Sequence, residues 1–564
     1  MEIRQRERIA ECELPESLHP LLRTVFAQRA IRSSQELHYG LDALIPPDAL
    51  GNIDAAAELL AAHFDKRILV IGDFDADGAT STAVALLGLR ALGAQQVDFL
   101  VPDRFRFGYG LTPEIVELAL TRKPDLIVTV DNGIASHAGV AAARAHGINV
   151  LVTDHHLPGA QLPEADVIVN PNLPGDAFPS KALAGVGVMF YVLLALRKVL
   201  RKHGALAKPE PNLAELLDLV ALGTVADVVP LDHNNRVLIH QGLQRIRAGK
   251  CRPGISALLE IAKRSPAQLA ASDLGFAVGP RLNAAGRLEN MSIGIECLLA
   301  DDPASARQLA AKLDELNRDR RGIEQEMKEE AILAVEKLAL DADLPLALCL
   351  HEAHWHQGVV GIVASRIKDR THRPVIAFAM DDETGLLKGS ARSVAGVHIR
   401  DALDAVATRH PGLVEKFGGH AMAAGLSLAA DRLAEFSIAL NEEIARWISP
   451  DELRGVILSD GELAPEFLCL DAAIALRDAG PWGQGFPEPL FDGVFDVRDR
   501  RIVGEKHLKL RLAPVGAASV LDGIAFNAAE FPEAPQVRAV FRLDVNEWQG
   551  RQSAQLVIEH LLSA

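Results

Sequence analysis

Residues Ile68-Leu-Val-Ile71 form an apolar run that ends in Gly72 and gives way at once to Asp73-Phe-Asp-Ala-Asp-Gly78. The run reads as a short buried strand, and 79–92 as the helix that follows. Three carboxylates at alternate positions in such a turn have no place in an apolar core. Side by side they repel one another and raise each other's pKa unless a cation compensates. Oxygen-only donors clustered in this way suit a hard divalent ion such as Mg²⁺ or Mn²⁺. A solvated Asp-rich turn is the plain alternative, and the rest of the chain has to decide.

From about 49 to 230 strand-like and helix-like segments alternate. Apolar runs at 67–72, 96–101, 125–130, 148–153 and 166–170 are separated by helical patterns at 79–92, 112–121 and 136–146. Near-continuous apolar strands with amphipathic crossovers predict a parallel sheet covered on both faces, an α/β fold. Ligand sites in such sheets lie at the carboxyl ends of the strands. Chemistry-bearing residues fall at those ends: Asp73, Asp75 and Asp77 after the first strand, Asp131 after the third, and Asp154-His155-His156 after the fourth. Asp227 closes the helical run ELLDLVALGTVAD. Any one of these alone is an ordinary cap or solvated polar group. Four segments delivering carboxylates or imidazoles to one sheet edge are a metal centre.

With 564 residues the chain is too long for one core, so several domains are expected. Residues 1–48 read as an N-terminal extension, 49–300 as the first α/β domain, 301–343 as a charged connecting helix and 344–450 as a second α/β domain. The connecting helix has the length to bridge more than about 50 Å. Residues 455–564 change character: His507, Lys509 and Arg511 alternate with leucines. Arg498, Arg500, Arg501 and Lys506 lie nearby, with Trp482, Phe486, Phe491, Phe495, Phe526 and Trp548. A small β-barrel with a basic and aromatic surface is the composition of an oligonucleotide-binding fold, although most of these aromatics belong to a core. Five scattered cysteines without a CxxC spacing argue against structural zinc and disulfides and fit a reducing cytoplasm. The N-terminus has no apolar signal region and no stretch has the length of a membrane span, so a soluble intracellular protein is expected. A net charge of −17 does not advertise a nucleic-acid binder, but only the local footprint has to be basic.

The motifs DFDADG, DNG, DHH and VAD, in this order, resemble those of the DHH phosphoesterase superfamily. Further stretches, VPDRFRFGYGL (101–111), VADVVPLDHNNR (225–236), GPRLNAAGRLEN (279–290), WHQGVVGIVASR (355–366), GSARSVAGVHIRDAL (389–403) and FGGHAMAAG (417–425), are similar to RecJ-type single-strand-specific exonucleases over nearly the whole chain. The resemblance implies a DHH domain, a DHH-associated domain carrying the GGH segment, a cleft between the two and a terminal OB-type barrel. It implies 5′→3′ hydrolysis of single-stranded DNA in repair and recombination, with two Mn²⁺ or Mg²⁺ ions sharing a carboxylate. On that reading Asp131 bridges, Asp75 binds one ion, and Asp77, His155 and Asp227 bind the other. Asp73 and Asp154 are either additional ligands or groups that orient the first ones, while His156 contacts the phosphate or protonates the leaving oxygen. Many relatives carry a metal-binding histidine where this chain has Ile71, which leaves the first ion richer in oxygen donors. Arg104, Ser390 and Arg392 would hold a terminal 5′-phosphate. Arg281 would line a narrow passage for single strands, Asn283 would be a further substrate contact, and Gly418, Gly419 and His420 would approach the substrate closely. Single-strand-binding protein is the implied partner, and a monomer is expected. A DHH phosphodiesterase acting on short oligonucleotides or cyclic dinucleotides is the nearer alternative, disfavoured by the long chain and its β-domain. A catalytically inert replication scaffold would have lost ligands, and here every acidic motif and both histidines are present.

Overall fold

Arg67–Gly72 (β1), Gln96–Leu100 (β2), Leu126–Val130 (β3), Asn149–Thr153 (β4) and Val167–Val169 (β5) form one parallel sheet in the order β2-β1-β3-β4-β5. Val, Ile and Leu dominate these strands, and β1 and β3 are buried along almost their whole length. Each such side chain withdrawn from water contributes roughly 1.5–3 kcal/mol. Because β1 has β2 on one side and β3 on the other, the strand order reverses at β1/β3. Crossovers leave that point in opposite directions and open a crevice at the carboxyl ends. Asp73 and Asp131 emerge there.

The structure, a computed structural model, describes all residues except 1, 10, 11, 104–106, 108, 342, 343, 450, 451, 454, 518 and 564. The chain divides into two compact units, Arg4–Asp314 with Leu458–Ala564, and Met1–Ile3 with Glu315–Ile457. In the larger unit the helices Ala76–Leu92 (α1), Gly185–Lys202 (α2), Leu217–Ala226 (α3) and His233–Arg247 (α4) build on the parallel sheet. α1 begins three residues earlier than the sequence pattern predicts. Asp75 is its N-cap, accepting from Gly78 N at 3.0 Å, so Asp77 already lies in the first helical turn. The charged stretch after residue 300 is a single helix, Pro303–Asp341 (α5).

The C-terminal strands Phe491–Val503, His507–Pro514, Leu521–Ala525, Gln536–Trp548 and Arg551–Ser563 close into a five-stranded barrel. Leu508, Leu510 and Leu512 point inward, as the alternation requires. Phe486, Phe491 and Phe495 are core residues, whereas Phe526 and Trp548 are 56% and 71% exposed.

From Arg4 on, the N-terminal extension belongs to the larger unit. Phe26, in the helix Pro20–Ala27, stacks on Trp482 and Phe486 with centroids 5.8 and 6.2 Å apart. Arg29 donates to both carboxylate oxygens of buried Asp460 and to Pro487 O at 2.8 Å. From the other side, the Arg236 guanidinium of α4 lies 4.3 Å from the Phe486 ring centre and donates to Glu36 O at 3.2 Å. Residues 26–36 thus tie the segment that leads into the barrel to the helix that follows Asp227.

The smaller unit carries a mixed five-stranded sheet. Leu348–His351 (β6) and Val375–Met380 (β7) are parallel; Leu386–Arg392 (β8), Lys416–Gly419 (β9) and Ala423–Ala429 (β10) pair antiparallel in the order β9-β10-β8-β7-β6. Met327, Ala331 and Val335 of α5 pack into the core of this unit with Leu348, Val360 and Val375. No helix among the described residues is long and apolar enough to cross a membrane.

Candidate metal centre

β1 ends in Gly72, and Asp73 follows it, buried. The acidic turn is held from outside by the GPRLNAAGRL helix, Gly279–Leu288. Asn283 Oδ1 accepts from Ala76 N at 2.8 Å, and a Cβ on Gly286 would lie 1.8 Å from Phe74 O. Only a residue without a side chain lets that helix press on the turn. Asn283 therefore braces the acidic loop.

Beyond β3, Asp131 is buried with φ +61°, a left-handed conformation that aspartate tolerates better than most residues. Its N–H donates to Thr153 O at 3.0 Å, and Asn132 Nδ2 donates to Ile71 O at 3.0 Å, locking the ends of β1, β3 and β4 together. Asp131 Oδ1 is buried without a hydrogen bond among the described residues, and His155 Nε2 lies 3.1 Å from it.

After β4, Asp154 is saturated. Its Oδ1 accepts from His155 N at 2.7 Å, His156 N at 3.1 Å and His156 Nδ1 at 2.7 Å, and its Oδ2 accepts from Ile134 N at 2.9 Å. It is an orienting group for both histidines. Burial pushes its pKa up, but the His156 hydrogen bond and charge, with the backbone donors, outweigh that and hold it low. Conversely burial lowers His156, and the hydrogen bond and charge of Asp154, then the charges of Asp227 and Asp73, carry it to about 9.

Asp77, in the first turn of α1, accepts from Gly185 N at 2.7 Å and Val186 N at 3.0 Å, the first N–H groups of α2. Asp227, the residue after α3, lies 3.5 Å from His155 Nε2. The donors fall into three overlapping groups whose ligand atoms lie within 4.8 Å of one another: Asp73, Asp75 and Asp131; Asp131, His155 and His156; Asp77, His155 and Asp227. Asp131 and His155 each belong to two. The first group is all oxygen, the composition expected beside Ile71. Burial, then the charges of Asp227 and Asp75, push Asp77 well above the usual carboxylate range; for Asp131 burial comes first, then Asp77 and Asp75. Burial and Asp75 lift Asp227 to about 7. Carboxylates this crowded and this dry need either protons or cations, and the mixed oxygen and imidazole donors fit Mn²⁺ or Mg²⁺.

Tyr109 was not among the residues expected here. Its OH donates to Asp131 O at 3.1 Å and lies 3.3 Å from His156 Nδ1, with the ring edge-on to Phe74. The signal was present in the GYG of VPDRFRFGYGL, but nothing local says that this tyrosine returns to the DNG turn. Arg104, from the same stretch, lies outside the described residues. Arg281 is not presented to solvent: it is buried, donates from Nε to Asp314 Oδ1 at 2.9 Å and from Nη1 to Ala277 O at 2.5 Å, and so braces the helix Gly279–Leu288. Its guanidinium is thus held in a buried ion pair.

In the smaller unit the remaining residues are brought together. Register aligns Ser390 with Gly425 and Gly425 with Gly418 across β8, β10 and β9, while Arg392 pairs with Ala423, whose carbonyl accepts from His420 N at 2.8 Å. Arg392 Nη1 donates to Ser390 Oγ at 3.0 Å. A Cβ on Gly361, in the first turn of the helix Val360–Thr371 (α6), would lie 2.8 Å from both side chains. Guanidinium, hydroxyl and a helix N-terminus converge here, the elements of an anion site. Gly419 has φ +142°, and a Cβ there would meet Ala423 O at 2.5 Å.

A parallel sheet that gathers aspartates and a histidine pair at its switch point defines a DHH-type protein, and residues 67–224 match the DHH family, N-terminal domain. Residues 343–446 match the DHHA1 domain and 459–560 the RecJ OB domain. The chain is 58% identical to the single-stranded-DNA-specific exonuclease RecJ of Dickeya dadantii (strain 3937), over 99% of this chain and 98% of that one. It is 55% identical to the protein of the same name from Escherichia coli (strain K12), over 100% and 99%. The crystal structure of RecJ in complex with Mn²⁺ from Thermus thermophilus superposes with a TM-score of 0.79 at 32% identity, covering 98% of this chain and 80% of that one. Its Mg²⁺ complex gives 0.73 at 30% identity, over 98% and 78%. The chain belongs to the RecJ family of single-stranded-DNA-specific exonucleases.

Proposed function

We propose that this protein hydrolyses the phosphodiester bonds of single-stranded DNA stepwise from the 5′ end, using Mn²⁺ or Mg²⁺ held by the donors at the β1/β3 switch point. The observation that carries this reading is the sharing of Asp131 and His155 between donor groups, because two adjacent ions need common ligands. Asp73, Asp75 and Asp131 would hold one ion; Asp77, His155, Asp227 and again Asp131 the other. Bound there, such ions supply an activated water and charge neutralisation on the scissile phosphate. The chain's own part is orientation and proton traffic. Asp154 fixes both histidines through three donors. His156, oriented through the bond of its Nδ1 to Asp154, would donate to a leaving oxygen. Asp77 is kept in place by the N-terminus of α2.

Ser390 and Arg392, at the N-terminus of α6, would hold the terminal 5′-phosphate, with Gly418, Gly419 and His420 on the neighbouring strands along the backbone. The convergence of a guanidinium, a hydroxyl and helix N–H groups supports that role. The connecting role of α5 and the domain limits near 49–300, 344–450 and 455–564 belong to the same reading. So do a monomeric cytoplasmic enzyme and contact with single-strand-binding protein. The test is degradation of end-labelled DNA with Mn²⁺ or Mg²⁺ for wild type and Asp131→Ala, on single and double strands. Release from the 5′ end of single strands alone, abolished in the variant, is expected. Release from the 3′ end, or an active variant, would sink the assignment.

A further inference from the structure

The residue after Asp227 is Val228, which has φ +62° and is 63% exposed. A β-branched side chain in that conformation is strained, and such strain persists where surrounding structure imposes it. Beside it a π-helical turn, Leu274–Val278, packs against the end of α3. The Cβ positions of Gly275 and Gly279 lie 3.1 Å from Val225 Cγ1 and 3.2 Å from Ala226 Cβ, so the turn abuts the two residues that precede Asp227. Such π turns are rare and gather at functional sites. At its apex Phe276 is 80% exposed, the most exposed large apolar residue of the protein's described surface.

Phe276 and Val228 line one cavity of about 370 Å³ with Val225, Leu231, Leu243 and Trp482. The charged groups on its wall are already engaged. Arg247 donates to Leu269 O at 2.9 and 2.7 Å, Arg477 pairs with Asp478 at 2.8 Å, and Glu488 pairs with Arg542 at 2.8 Å. The wall is mainly apolar and offers a flat, uncharged surface beside the Arg247 and Arg477 guanidiniums and the His240 ring.

We infer that Phe276, with Val228 beside it, is a stacking platform for a nucleobase of the single strand threaded toward the Asp227 side of the metal centre. The inference rests on single-stranded DNA being the substrate and adds a base-binding subsite to it. An aromatic face suits every base, so the platform holds DNA without reading its sequence. It is continuous with the centre through one peptide bond, Asp227–Val228, and a base seated there orders the strand next to a metal-ligand candidate.

The test compares wild type, Phe276→Ala and Phe276→Tyr on a 5′-phosphorylated oligothymidylate, with KM and kcat measured at several salt concentrations. Losing one stacked base raises KM by roughly 5- to 150-fold in Phe276→Ala. Because no phosphate contact is lost, the slope of log KM against log salt stays that of wild type. Phe276→Tyr restores KM. The side chain is in solvent, so neither variant threatens folding. A KM for Phe276→Ala within about twofold of wild type overturns the inference, as does an altered salt slope or a failure of Phe276→Tyr to rescue. Wild-type protein that leaves single strands intact would instead overturn the proposed function, so the two failures are distinguishable.

Discussion

Replacing Gly185 by alanine places one methyl group against the carboxylate shared by two donor groups. The new Cβ would lie 2.6 Å from Asp131 Oδ1, 2.7 Å from its Cβ and 2.8 Å from its Cγ, where ordinary contact begins at 3.4 Å. Something must move by about 0.6–0.8 Å to restore normal contact, the shortfall between those distances, as overpacking demands. Asp131 cannot swing away freely, because its left-handed backbone is bonded to Thr153 and its carbonyl to Tyr109. Nor can α2 retreat without pulling Gly185 N and Val186 N from Asp77. Either shift displaces a metal-ligand candidate. Overpacking of this kind costs about 1–3 kcal/mol, a few degrees in melting temperature. A misplacement approaching 1 Å at a reacting centre costs on the order of 10²-fold in rate. The assay is release of labelled nucleotide from single-stranded DNA across a Mn²⁺ titration, with melting curves alongside. Gly88→Ala is the control: the three atoms nearest its Cβ all belong to the Leu193 side chain, Cδ1 at 2.2 Å, in the packing of α1 against α2. It should lose comparable stability and keep its rate. Gly185→Ala with wild-type rate and wild-type Mn²⁺ dependence would refute the claim that Asp131 is rigidly held, whatever its melting temperature.

Two further outcomes follow from the geometry. Asp77 and Asp131 are raised and Asp227 reaches about 7, so between about pH 4 and 7 the metal-free folded chain holds protons that the unfolded chain has released. Its stability from these groups therefore falls as pH rises, and His156, at about 9, adds a loss of the same sign above about 6.5. Mn²⁺ displaces those protons, so the melting-temperature gain on adding Mn²⁺ should grow from about pH 5.5 to 8, and a pH-independent gain would contradict the crowding of these carboxylates. Arg29→Met removes the two-pronged partner of the buried Asp460 carboxylate and leaves it Leu490 N at 2.8 Å and Arg6 Nε at 3.7 Å, a loss of about 1.5–3 kcal/mol by thermal or denaturant unfolding. Arg29→Met with Asp460→Leu should recover much of it, and no recovery would show that the N-terminal segment is held by something other than this pair.

The sequence by itself determined whatever depends on neighbours along the chain. Apolar runs of strand length, helical crossovers between them and carboxylates at the strand ends made the parallel sheet and its acidic edge legible. The strands from Arg67 to Val169 lie within a residue or so of their predicted limits because local hydrophobic period decides them. Resemblance supplied the assignment of Asp131, His155 and Asp227 to one centre, and the fold brings them within reach of one another. Tertiary structure decided what depends on partners far away in the chain. Arg281 pairs with Asp314 33 residues on, and Asn283 finds Ala76 N across 207. Arg29 meets Asp460 across 431. None of these pairings leaves a periodic trace, because an arginine aimed at a phosphate and one aimed at a buried aspartate are the same letter. The same holds for glycine: Gly185 reads as an indifferent helix start until the fold sets its Cα against Asp131. Charge and contact over such separations are fixed by three-dimensional packing, and only packing distinguishes a ligand from the groups that hold it still.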